Sequence, residues 1–152
     1  MTRQPFDIRV SDEADEQDRR VLVGGLIAYN EQRTGLRDSR SLVVLIRDTH
    51  GRTVGGLWGR TGYGWLFVEM LFVPEQLRGR GLGSAVVLEA EKEARARGCH
   101  SAWLDTFEFQ ARGFYEQLGY RCFGELEDYP TGFSRYFMTK SLAASRNVEA
   151  TP

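Results

Sequence analysis

Gln76-Leu77-Arg78-Gly79-Arg80-Gly81-Leu82-Gly83-Ser84 stands between a strongly apolar run, Trp65 to Val73, and a segment with helical patterning that begins at Leu82. That location gives the glycines their meaning. A helix N-terminus leaves about four backbone N–H groups unpaired, and its dipole favours an anion there. Glycine removes the Cβ atoms that would keep a phosphate oxygen away from those groups. Arg78 and Arg80 add charge-assisted donors beside them. The stretch therefore predicts a pyrophosphate cradle. A glycine-rich turn that merely packs is the plainer reading of the same residues.

Working outward, Trp65 to Val73 is apolar on both faces and belongs at the centre of a sheet. Leu82 to about Arg97 reads as a helix, buried in its first half, charged from Glu89 onward and ended by Gly98. His100 to Phe107 reads as another strand, so strand, helix and strand form a βαβ unit with locally parallel strands. Ala111, Phe114, Tyr115 and Leu118 lie at helical spacing, a short amphipathic helix stopped by Gly119. Strands at Tyr120 to Glu127 and Phe133 to Lys140 follow, around the turn Tyr129-Pro130-Thr131-Gly132. Towards the N-terminus, Leu42 to Asp48 and Arg52 to Arg60 make a hairpin with a bulge at Gly55-Gly56. Phe6 to Val10 alternates as a first strand. A helix leads from the acidic stretch Asp12 to Asp18 to Gly35, with Gly24-Gly25 able to split or bend it. The fold class is α/β (α+β): one domain over residues 1–142 with a mixed, mostly antiparallel sheet and a central parallel pair. Residues 143–152 read as a polar, disordered tail.

A chain of 152 residues fits that single domain. Its 20 Lys+Arg against 21 Asp+Glu leave a net charge of -1, which removes the sequence case for a nucleic-acid or polybasic membrane binder. Cys99, Cys122, His50 and His100 show no zinc-ligand spacing, so no metal is expected. Two free thiols, no signal-like start and no apolar run of spanning length predict a soluble, cytoplasmic protein.

The phosphate ligand narrows by exclusion. A Walker loop needs lysine after its glycines, and none follows here. The dinucleotide fingerprint breaks because Gly79-Arg80-Gly81 is followed by Leu82-Gly83-Ser84. Asp105, at the end of the next strand, keeps a dinucleotide reading as a weaker alternative. Arg78, Gly81 and Gly83 instead fill the pattern R/Q-x-x-G-x-G/A. Together with Ala111-Arg112-Gly113-Phe114-Tyr115-Glu116-Gln117-Leu118-Gly119-Tyr120, this resembles the GNAT superfamily of acyl-CoA-dependent N-acetyltransferases. The resemblance extends to the order of elements and covers about Phe6 to Leu142.

The resemblance implies acetyl-CoA as acyl donor and a small-molecule or protein amine as acceptor, with no nucleic-acid or membrane partner; a homodimer is compatible with it. The pantetheine arm would lie along backbone groups of Leu71, Phe72 and Val73, where the central strand splays from its parallel neighbour. The pyrophosphate would sit on N–H groups of Arg78, Gly79, Arg80, Gly81, Leu82, Gly83 and Ser84. Phe114 would pack beside the cosubstrate, and Tyr115 would protonate the departing thiolate. The family often has Asn three residues before Ala111, and Glu108 stands there instead.

Glu69 is the one acidic residue in the apolar central strand. Buried, it would serve as general base, directly or through water; otherwise it is an ion-pair partner. Asp105 and Glu108 are alternative bases. Tyr115 also lies on the apolar stripe of its helix, so packing is its plainer role. Acceptor recognition is expected around Tyr29, Asn30 and Arg33 and from Tyr129 to Phe133, without a readable code. A non-catalytic acyl-CoA-binding domain would keep the glycine loop and need neither Tyr115 nor a base.

Overall fold

Six strands form one sheet in the computed structural model, which describes residues 6–143. They are β1 (Arg40–Arg47), β2 (Thr53–Gly62), β3 (Trp65–Phe72), β4 (Ser101–Phe107), β5 (Arg121–Leu126) and β6 (Arg135–Ser141). Their spatial order is β1-β2-β3-β4-β6-β5. Only β3 and β4 run parallel; the other neighbours are antiparallel. The helices are α1 (Glu16–Thr34), α2 (Leu82–Ala96) and α3 (Arg112–Gln117). The chain divides into two compact units, Met1–Arg37 with α1 and Asp38–Pro152 with the sheet, α2 and α3.

In the second unit, alternation along the strands gives the sheet one apolar face. Leu42, Leu57, Leu66, Leu104 and Met138 are each at most 2% exposed and share the core with Val86, Val87, Ala90 and Ala94 of α2. Burying each of the Leu, Val and Met side chains contributes roughly 1.5–3 kcal/mol relative to exposure. Glu91 of α2 is also fully buried, where Lys140 of β6 neutralises it with Nζ 3.1 Å from Oε2. Paired positions across a ladder share a face, so Trp58, Arg60, Phe67, Trp103, Asp105 and Phe137 occupy the opposite side. There Phe67 stacks on Trp103 with ring centroids 4.0 Å apart.

The sheet opens at its centre. Parallel pairing of β3 and β4 runs from Trp65↔Ser101 to Val68↔Leu104 and stops. On the other side of β3, Trp58 lies opposite Met70 and Gly59 opposite Val68, so Glu69 is an extra, bulged residue. A bulge bends its strand. From Glu69 onward β3 stays paired with β2 and leaves β4. Gly59 makes this possible, because a Cβ there would collide with the carbonyl oxygen of Phe67.

Three local expectations are corrected. Phe6 to Val10 is not a strand, and Ile8 and Val10 are exposed. Its unit contains no other extended segment among the described residues to pair with its N–H and C=O groups. Gly24-Gly25 neither splits nor ends α1, which runs from a capping box of Asp15 and Asp18 to a left-handed Gly35. The bulge in the β1–β2 hairpin falls beside the glycine pair, at Val54, since Ile46 faces Gly55 and Arg47 faces Thr53. Of the tail expected at 143–152, residues 144–152 lie outside the described residues. No helix among the described residues is long and apolar enough to cross a membrane.

Candidate functional site

A cleft of about 830 Å³ lies where β3 departs from β4. Glu69 to Val73, Leu77 to Gly79 and Gly81 to Ser84 line it on the β3 side. Asp105 to Phe107, Phe114, Tyr115 and Arg135 line it on the β4 side. The structure thus gathers Glu69, Leu71, Phe72, Val73, Arg78, Gly79, Gly81, Leu82, Gly83, Ser84, Phe114 and Tyr115 around one space. Arg80 is exposed and outside the lining. Gln110 was missed in the sequence: its Oε1 accepts the Phe107 N–H at 2.9 Å and shapes the cleft wall. A lone glutamine in a loop carries no spacing signal.

The glycine loop leads directly into the N-terminus of α2. A short 3-10 turn, Glu75–Leu77, leads from β3 towards α2. Gly81 caps α2 in the left-handed region, φ 75°, without a capping side chain. The first N–H groups of α2 are therefore left to other partners. Arg78 is anchored, its Nε donating to the Val73 carbonyl at 3.0 Å. Gly83 admits a ring: its Cβ would come within 3.3 Å of Phe114 Cζ, so glycine lets Phe114 close over the helix start.

Tyr115 is 7% exposed and meets Phe114 edge-on at 5.0 Å. Burial, then the charge of Asp105, pushes its phenol up to about 12, so it keeps its proton at neutral pH. Glu69 is not buried. The bulge turns it towards Arg60, with which it forms an ion pair, and its side chain is 28% exposed. Asp105 lines the cleft and accepts Arg135 Nε at 2.8 Å. Glu108 lies outside the cleft lining; its Oε2 accepts the Ser134 N–H at 2.8 Å and ties the loop after β4 to the β5–β6 hairpin. Among the described residues no cluster of three or more His, Cys, Asp or Glu could hold a metal ion.

Residues 7–120 match the model of the acetyltransferase (GNAT) family. The chain is 40% identical over 131 residues to an acetyltransferase of Agrobacterium fabrum, covering 86% of this chain and 96% of that one. It is 37% identical over 115 residues to the blasticidin-S acetyltransferase of Streptomyces morookaense, covering 73% and 85%. A crystal structure from Agrobacterium tumefaciens superposes with a TM-score of 0.85 at 38% identity, covering 90% of this chain and 99% of that one.

Proposed function

The chain belongs to the GNAT acetyltransferase family, and we propose that it transfers an acetyl group from acetyl-CoA to a primary amine by direct attack in a ternary complex. The observation that carries this reading is the continuity of the cleft. The strand edge at Leu71 and Phe72 that β4 leaves unpaired, helix N–H groups without a capping side chain and a buried, protonated tyrosine border one space.

The fit to acetyl-CoA rests on those features. The edge of β3 facing the splay offers backbone groups to an amide-bearing arm, as a neighbouring strand would. The start of α2 offers N–H groups to a pyrophosphate, and Gly81 puts no Cβ in the way. Bound there, acetyl-CoA supplies an activated acyl group as a thioester.

The acceptor must arrive as a free amine. An alkylamine with a pKa near ~10.4 gives up its proton at pH 7 at a cost of roughly 4–5 kcal/mol. Glu69 accepts that proton through water once Arg60 yields its carboxylate. The amine nitrogen then attacks the thioester carbon, and N–H groups at the splay hold the oxyanion, worth ~3–4 kcal/mol per donor. The C–S bond breaks and Tyr115 gives its hydroxyl proton to the thiolate sulfur. The second proton, shed by the acylated nitrogen, passes through water to restore the phenol, while the proton on Glu69 returns to solvent.

The test is a screen of amines with acetyl-CoA that follows free thiol, run beside thermal shifts with acetyl-CoA and NAD. A ligand at a hundredfold its Kd adds about 2.7 kcal/mol. Stabilisation by acetyl-CoA and amine-dependent thiol release are expected. Stabilisation by NAD alone contradicts the reading.

A further inference from the structure

The sheet face opposite α2 carries an aromatic lip beside the cleft. Phe107 and Phe109 line the cleft and stack face to face, centroids 5.2 Å apart and planes 6° apart. Tyr129 stacks on Phe107 at 5.7 Å, and Phe133 meets Phe109 edge-on at 5.3 Å. Three of these rings remain open to solvent: Phe109 is 56% exposed, Tyr129 45% and Phe133 44%. Rings that satisfied only the core would be covered. A contiguous exposed set at the rim of a cleft marks a surface that takes a flat ligand.

The charge around the lip selects its sign. Arg135 lies over Phe107 at 5.0 Å and over Tyr129 at 4.9 Å, and it is neutralised by Asp105. Glu108 and Glu125 converge on Ser134, next to Phe133, with contacts of 2.8 and 2.7 Å. Among the described residues neither has a cationic partner. The lip is therefore aromatic with surplus negative charge, which attracts an organic cation and repels an anion. That disfavours the phosphates of the cosubstrate as its occupant.

Resting on the acetyl-transfer reading, we propose that the acceptor is an amine tethered to a flat unsaturated ring, cationic in solution. The ring stacks on Phe109, Tyr129 and Phe133 while Glu108 and Glu125 draw in the ammonium. A short tether then carries the nitrogen to the splay at Glu69. Saturated amines of equal size lose the stacking, and polyamines lose the ring altogether.

Matched acceptors test this on the unmodified protein. With 2-phenylethylamine and tryptamine, kcat/KM is expected to exceed that of 2-cyclohexylethylamine, spermidine and glucosamine by about tenfold or more. Tyr129→Leu and Phe133→Leu are expected to raise the KM of the aromatic amine about fivefold, with the acetyl-CoA KM unmoved. Equal or better turnover of the saturated amines overturns the inference while leaving acetyl transfer intact. A rise in acetyl-CoA KM alone assigns the rings to the cosubstrate and also overturns it. If no amine of either kind releases thiol, acetyl transfer fails and this inference with it.

Discussion

Tyr115 packs its ring against Phe114 and Tyr120 and lines the cleft, so its ring and its hydroxyl can be tested separately. Tyr115→Phe keeps the packing and removes the proposed acid. Steady-state kinetics should show kcat lowered about a hundredfold with little change in acetyl-CoA KM, the lower end of general-acid effects. A nearly full kcat where chemistry limits turnover assigns Tyr115 to packing. Glu69→Gln should alter or abolish the acidic limb of the pH–rate profile, and superimposable profiles would move the base to Asp105. The helix and burial of Tyr115 were legible in the sequence, because its apolar stripe has helical spacing. The surroundings of Glu69 were not, because an apolar strand sequence suggests burial, whereas the bulge and Arg60 depend on the register of a neighbouring strand.

Among the elements, α2 and its glycine loop form the proposed cosubstrate cradle. A Gly83→Val side chain would press on Phe114, whose ring already leaves only 3.3 Å for a Cβ. Titration calorimetry should show acetyl-CoA affinity lowered at least about tenfold, with stability lost by roughly 1–3 kcal/mol from overpacking. Unchanged affinity in a folded variant would contradict the cradle. Gly24→Ala makes the opposite case, since nothing lies within 4 Å of its Cβ and α1 is regular there. Denaturant unfolding of this variant should show a gain of about 0.5–1 kcal/mol if α1 unfolds with the rest. The helices and six of the seven expected strands were readable from period and caps. Phe6 to Val10 showed the same alternation without a partner, because pairing is a long-range property that local pattern does not encode.

Over the whole molecule, two buried phenols couple fold to alkaline pH. Burial raises Tyr120, whose hydroxyl has no hydrogen-bond partner among the described residues, and raises Tyr115 to about 12. Because the folded state holds these protons more tightly, their stabilising contribution is complete below the unfolded value near pH ~10. It is lost as pH climbs through the folded values. Denaturant unfolding between pH 8 and about 11 should therefore show falling stability, and Tyr115→Phe should lessen the fall. The proposed chemistry is direct acyl transfer at the splay between β3 and β4. Its most direct test is a single turnover with protein in excess over acetyl-CoA, following free thiol and acetylated amine together. The two products are expected to appear at one rate that rises with amine concentration. Thiol released at a rate independent of amine, ahead of any acetylated product, would contradict it.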